Sequence, residues 1–291
     1  MEGIILVYRL LALDIDGTLL RSNFRIDRST KEAIDYVKNK GVYVTLATGR
    51  NFPSAQKIAK ALKIDSILIT HNGALIASSI DEPLHEERIS AYDVRKIVRI
   101  LEKYDAHIRL LHERYSLGNQ VQQKSHIVAK MTMGIGDPLF YPVTFTEKLS
   151  DHLEEKPMSV PKIDVQFFND EEREAAYQEL IEEIEGVQIT ASTRCDFEVI
   201  PKSINKAVGL QILGKHLGVS MDEMVAVGDF TNDIEMIQMA GLGVAMGQSS
   251  EDVKNAADWV TRTNEQHGVG YLVREVFRKQ MKMQIEQPIE N

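Results

Sequence analysis

The sequence predicts an α/β protein built on a parallel sheet, with an α+β segment inserted into it. Three observations point there. Near the N-terminus, short apolar runs alternate with amphipathic helical patterns in the order strand, helix, strand, helix, strand. The same alternation returns after about residue 205. The stretch between them breaks the pattern, mixing strand-like and helical segments with a Gly/Pro-containing run. Regular strand–helix alternation is the mark of a parallel sheet covered on both faces.

Taken in order, "LLAL" (Leu10–Leu13) reads as a buried strand that stops at an acid, Asp14. Asp27 reads as a helix cap, with Ala33, Ile34 and Val37 on one face and Gly41 ending the helix. "VYVTLA" is the next strand. Pro53 opens a second helix, where Ala55, Ile58, Ala59 and Leu62 recur at helical spacing. "SILIT" is the third strand of the sheet. From Pro83 to Arg194 come a helix (Val94, Ile97, Val98, Leu101), strand-like "AHIRLLHE", the run "MGIGDPLFYP", strand-like "KIDVQFF" and a charged, solvated helix ending at Gly186. A helix from about Asn205 to Leu217 ends at Gly218. "MVAV", a helix over about Asp233–Ala240, "GVAM" and "DWVT" then complete the second alternating run. The division expected is a core of residues 1–82 and 195–291, with 83–194 as the insertion. The tail "MKMQIEQPIEN" reads as frayed.

Composition narrows the function. A chain of 291 residues with 43% hydrophobic content accommodates two domains with a sizeable core. The net charge is −9 and no block of Lys or Arg appears. Nucleic acid is therefore not the expected partner, since phosphate-backbone binding needs concentrated positive charge. A small anionic substrate remains compatible, because local fields differ from net charge. The single cysteine, Cys195, excludes a disulfide framework and argues against a cysteine zinc site. It reads as a small strand residue. The N-terminus lacks the basic region of a signal peptide, and no apolar stretch is long enough to span a bilayer. A cytoplasmic protein without a membrane partner is expected. Oligomeric state has no signal in the sequence.

Ligands of open α/β sheets bind beyond the carboxyl ends of the strands. Strand one ends in Asp14, followed by Ile15, Asp16, Gly17 and Thr18. Strand two ends in Thr48, Gly49 and Arg50, strand three in "HNGA" with Asn72, and "MVAV" in Gly228, Asp229, Asn232 and Asp233. Carboxylates converging on one point cannot all stay ionised without a counter-charge. A hard divalent cation, Mg²⁺, suits such oxygens. Asp14, kept ionised, would attack phosphorus as a nucleophile. Asp16, two residues on, would protonate the leaving oxygen and then activate water. Thr48, the Thr48–Gly49 backbone and Asn232 offer donors to phosphate, and Ile15 is placed in the same phosphate-binding set. Lys206, in the first turn of a helix, would balance phosphate and Asp14, with Lys202 its competitor. Arg50 and Asn72 are candidates for touching substrate. Asp233 either serves the metal or caps its helix. His107 and His112 sit five apart in a strand-like segment, so they read as strand histidines with partners rather than a shared metal site.

In combination, "DIDGT" (Asp14–Thr18), "TLATGR" (Thr45–Arg50), Lys206 and "GDFTND" (Gly228–Asp233) resemble the four motifs of the haloacid-dehalogenase-like (HAD) hydrolases. The stretch "GVAMGQSSEDVKNAADWVTRTNEQHGVG" resembles the Cof-type subgroup, with Gln248 where asparagine is common. The resemblance implies a Rossmann-like core with a C2-type cap and Mg²⁺-dependent hydrolysis of phosphate monoesters. It implies Asp14 as nucleophile and metal ligand, and Asp16 as acid/base that also lends a backbone carbonyl to the metal. Asp229 and Asp233 would serve the metal, and Thr48, Lys206 and Asn232 the phosphate. The expected substrate is a small phosphorylated metabolite such as a sugar phosphate, pyridoxal phosphate or a flavin-precursor phosphate. The rival readings are a phosphomutase using the same aspartyl-phosphate and a non-catalytic binder of phosphorylated metabolites.

Overall fold

The computed structural model describes residues 7–120, 141–190, 196–278 and 280. Most of "MGIGDPLFYP", Cys195 and the frayed tail lie outside the described residues. In chain order the strands are β1 (Leu10–Leu13), β2 (Tyr43–Leu46), β3 (Leu68–Thr70), β4 (Leu75–Ser79), β5 (Glu82–Glu86), β6 (Ala106–Leu111) and β7 (Ser116–Asn119). After them come β8 (Val143–Thr146), β9 (Lys162–Phe167), β10 (Val187–Thr190), β11 (Asp196–Pro201), β12 (Met224–Gly228), β13 (Leu242–Ala245) and β14 (Trp259–Val260). The chain divides into two compact units.

The first unit comprises residues 1–48, 57–69 and 206–291. Its sheet runs β14-β13-β12-β1-β2, and every pairing in it is parallel. β1 lies inside the sheet, and its four residues are all fully buried, as an apolar run covered on both faces must be. The helix Arg28–Asn39 starts where Asp27 accepts the Thr30 N–H, and Gly41 (φ 79°) takes the left-handed conformation just past its end. Its buried face is Ala33, Ile34 and Val37. β3 departs from the expected third place in this sheet. It reaches β2 only beyond that strand's end, through one parallel bridge between Ala47 and Ile69, and otherwise belongs to a small sheet ordered β3-β4-β5. The Thr45 hydroxyl donates to the Ile67 carbonyl at 2.7 Å, tying down the approach to β3.

The second unit comprises residues 49–56 and 70–205. Its main sheet runs β10-β11-β9-β6-β7-β8, antiparallel except for β7 beside β8. Alternation along its strands sorts the residues into two faces. Ile108 and Leu110 of β6, Ile163 and Val165 of β9, and Phe197 and Val199 of β11 join one apolar cluster. That cluster also holds Val94, Ile97, Val98 and Leu101 of the helix Ala91–Leu101, which Ser90 caps. The alternate positions are polar yet mostly covered: Arg109, Lys162 and Glu198 are all buried. The middle of the chain is thus α+β, with helices on one side of an antiparallel sheet. The charged helix Asp170–Glu183 buries only Ala176 and Leu180.

Candidate active site

In the first unit, β1 leads one way to β2, while its other neighbour, β12, leads to β13 and β14. The chain order therefore reverses at the β1–β12 boundary, where such sheets place ligands. Leu13 pairs with Val227, and the Asp14 N–H donates to the Val227 carbonyl at 3.0 Å. Register alone thus brings Asp14 out beside Gly228 and Asp229.

The side chains converge from there. Lys206 begins the helix Lys206–Leu217 and is 1% exposed. Its ammonium donates to Asp14 Oδ1 at 2.8 Å and to Asp233 Oδ1 at 2.6 Å. Asp233, with no exposure, accepts the Asp229 and Phe230 N–H groups on Oδ2 at 3.0 and 3.1 Å. It therefore braces the turn before it rather than capping the helix that follows. The Thr18 hydroxyl donates to Asp229 Oδ1 at 3.2 Å. Gly17 has φ +80°, and a Cβ there would lie 2.0 Å from Asp229 Oδ2, so only glycine lets that carboxylate approach. Asp16 is exposed and Asn232 half-buried, while Ile15 buries its side chain completely. Lys202, the competing cation, is exposed. The Thr48 N–H, expected to face a turn, instead donates to the Ile69 carbonyl at 2.9 Å, because the strand pairing continues one residue past Ala47.

Electrostatics in this cluster are lopsided. Burial above all, and then Asp233, Asp229 and Asp16, push the Asp14 carboxyl well above the usual range, against the pull of Lys206. Asp229 is pushed up to about 7 by burial and Asp233. Burial opposes the charge on Lys206, but Asp14 and Asp233 hold its ammonium above the ordinary lysine value. One oxygen from each of Asp14, Asp229 and Asp233 lies within 4.8 Å of the others. Three acids around one ammonium carry, once ionised, a surplus of negative charge on hard oxygen donors, which is why burial and mutual repulsion resist their ionisation without a further cation. That donor set fits a divalent cation of the magnesium type. Among the described residues it is the one group of three or more His, Cys, Asp or Glu close enough to hold a metal.

In the second unit, Gly49 and Asn72 touch: a Cβ on Gly49 would lie 2.9 Å from Asn72 Oδ1. The Arg50 carbonyl accepts the His71 N–H at 3.0 Å, and its guanidinium donates to the Ser54 hydroxyl at 3.2 Å. His107 stacks on Phe145, and His112, beyond the end of β6, stacks on Tyr115 and lies 3.1 Å from Glu113.

Comparison with known proteins agrees with this arrangement. The family model described as haloacid dehalogenase-like hydrolase matches residues 11–273. The chain belongs to the haloacid dehalogenase-like hydrolases. Its similarity to stress response protein YhaX of Bacillus subtilis is 47% identity over 94% of this chain and 95% of that one. To the 5-amino-6-(5-phospho-D-ribitylamino)uracil phosphatase YcsE of the same organism it is 34%, over 91% and 94%. Among solved structures, a sugar phosphatase of HAD subclass IIB superposes with TM-score 0.79 at 26% identity, covering 92% of this chain and 98% of that one. With phosphatases among its relatives in both sequence and structure, this HAD chain is itself a phosphatase. Among its described residues, no helix is long and apolar enough to cross a membrane.

Two groups of structural residues have roles that the sequence does not assign. Gln248 donates from Nε2 to the Gly17 carbonyl at 2.6 Å and accepts the Asn264 N–H on Oε1 at 3.1 Å, so it pins the turn behind Asp16. Its departure from the common asparagine was the available signal. Lys162 and Glu198, paired at 2.5 Å inside the second unit, left none beyond a polar residue in every second place of a strand.

Proposed function

We propose that this phosphatase hydrolyses small phosphorylated metabolites through an aspartyl-phosphate on Asp14, with magnesium as its cofactor. The observation that carries the reading is Asp14 at the end of β1, bound to Lys206 and grouped with Asp229 and Asp233. An Asp14 carboxylate oxygen bonds to phosphorus as the ester P–O bond breaks, and Asp16 gives the departing alkoxide its proton. Asp16, now ionised, takes a proton from water, the resulting hydroxide attacks phosphorus, and Asp14 leaves with inorganic phosphate formed. Lys206 holds Asp14 in place and offsets charge on the phosphoryl group. Thr48, Gly49, Asn232 and the Ile15 main chain are the proposed phosphate donors, and Arg50 and Asn72 are the candidates for contact with the rest of the substrate. Magnesium bound by Asp14, Asp229, Asp233 and the Asp16 carbonyl would neutralise phosphoryl charge so that an anionic nucleophile can approach.

The relatives support two substrate classes, ribitylaminopyrimidine phosphates and sugar phosphates, since two relatives are named for the first and a structural neighbour for the second. The test is phosphate release from a panel of both, with and without magnesium. Release that needs magnesium and vanishes in Asp14→Asn is expected. Turnover unchanged in Asp14→Asn would remove the nucleophile. Phosphate returned to the substrate rather than released would indicate a mutase.

A further inference from the structure

We propose that Glu198 is a positioning residue for phosphate binding: it locks Asn72 against Gly49 and so sets the Gly49–Arg50 turn. The inference rests on the phosphatase reading for its purpose, but its geometry stands within the second unit. Glu198 is buried in β11 and its two oxygens are divided. Oε1 takes the Lys162 ammonium at 2.5 Å, and Oε2 takes the Asn72 amide N–H at 2.6 Å. A Cβ on Gly49 would lie 2.9 Å from Asn72 Oδ1 and 3.3 Å from Glu198 Oε1. The turn backbone therefore packs directly on the paired amide and carboxylate.

Two further features make this more than packing. Asn72 (φ 56°) and His71 (φ 52°) are consecutive non-glycine residues in the left-handed region, each a conformation that persists only where surroundings enforce it. The enforcement is visible: Glu198 holds the Asn72 side chain, the His71 N–H is bonded to the Arg50 carbonyl, and Gly73 is so close to the Asn205 carbonyl that a Cβ would lie 2.2 Å from it. The strained turn is thus stitched to the Gly49–Arg50 turn at two points. Secondly, Lys162 is 2% exposed and lies between Glu198 and Asp164, the latter at 2.8 Å. Burying such a group of charges is a poor way to add stability compared with apolar residues of similar size. It is a good way to give one carboxylate a single orientation.

Two measurements on the full chain test this. Hydrogen exchange, read by mass spectrometry, is compared over residues 47–52 in wild type and Glu198→Gln without substrate. Steady-state kinetics with p-nitrophenyl phosphate and magnesium give kcat and KM, with inorganic phosphate as competing inhibitor. In Glu198→Gln, exchange over 47–52 should quicken, and KM and the phosphate inhibition constant should both rise about tenfold, as loss of one charge-assisted hydrogen bond would give. The change in kcat should stay within about twofold, since the turn that this bond sets would hold phosphate in ground and transition states alike. Pairing Glu198→Gln with Asn72→Asp restores a donor opposite an acceptor and should recover part of the loss. If Glu198→Gln does not fold, Lys162→Gln, one contact further from Gly49, should show the same changes in smaller measure. Unchanged exchange over 47–52 overturns the inference, as does an unchanged KM and phosphate inhibition constant in a folded variant. Lack of wild-type turnover would instead defeat the phosphatase reading, leaving the exchange comparison to decide the positioning.

Discussion

Gly17 and Lys206 show how single residues make the acid cluster possible. Gly17→Ala forces a left-handed residue to carry a Cβ 2.0 Å from Asp229 Oδ2, so the carboxylate or the turn must move. A stability loss of about 1–3 kcal/mol is expected from the backbone alone, and activity should fall with it. Urea unfolding and phosphate release on one preparation check both. Lys206→Met leaves Asp14 and Asp233 buried without their ammonium. Removing one member of a buried ionic group costs about 3–5 kcal/mol. Because magnesium would offset some of that charge, the variant's melting temperature should respond more strongly to magnesium than wild type's. An equal response would show that the cation does not bind beside these carboxylates.

At the level of elements, the cluster is assembled by strand register and by turns that start helices. β1 against β12 delivers Asp14 beside Asp229, and the first turn of the helix Lys206–Leu217 delivers the ammonium. These were legible in the sequence because each is local: an apolar run that stops at an acid, or a helix start marked by its neighbours. The cap of the helix Arg28–Asn39 was legible for the same reason. Burial works to raise the Asp27 carboxyl, but bonds from the Thr30 N–H and hydroxyl, with His267 beside it, hold it below the usual range. Asp27→Ala should cost about 1 kcal/mol at neutral pH. That difference should shrink on acidification through the carboxylate range, since a depressed group stabilises only while ionised; urea midpoints at several pH values read it. What the sequence did not show is long-range pairing of polar groups. Lys162, Glu198 and Asn72 come from three distant stretches, and no local pattern marks a lysine on a strand as buried. β3 differs from its expected place for a related reason: its composition shows a strand, but only tertiary register decides which sheet receives it.

For the whole molecule, stability should fall on the acid side. Burial, and then the nearby cations Lys162, Arg88 and His112, push the His71 imidazole down to about 3. Unfolded, the ring takes a proton below its ordinary value of about 6.5, while in the folded chain it stays neutral until about pH 3. The neutral ring therefore favours folding fully above about pH 6.5, and that contribution is lost as pH falls toward 3. In His71→Gln the slope of unfolding free energy between pH 7 and pH 5, values chosen as about either side of that onset, should be shallower than in wild type. An unchanged slope would place a titrating group elsewhere. The net charge is −9, and among the described residues the buried acids are Asp14 and Asp233 in the first unit and Glu198 in the second; the first of these places is the one proposed for the chemistry. The measurement that tests that assignment most directly is acid-quench trapping during turnover, followed by mass spectrometry of the peptide spanning Leu10–Leu20. A phosphoryl group on Asp14, absent in Asp14→Asn, is the predicted result; steady turnover with no phosphorylated Asp14, or with the group on another residue, would contradict it.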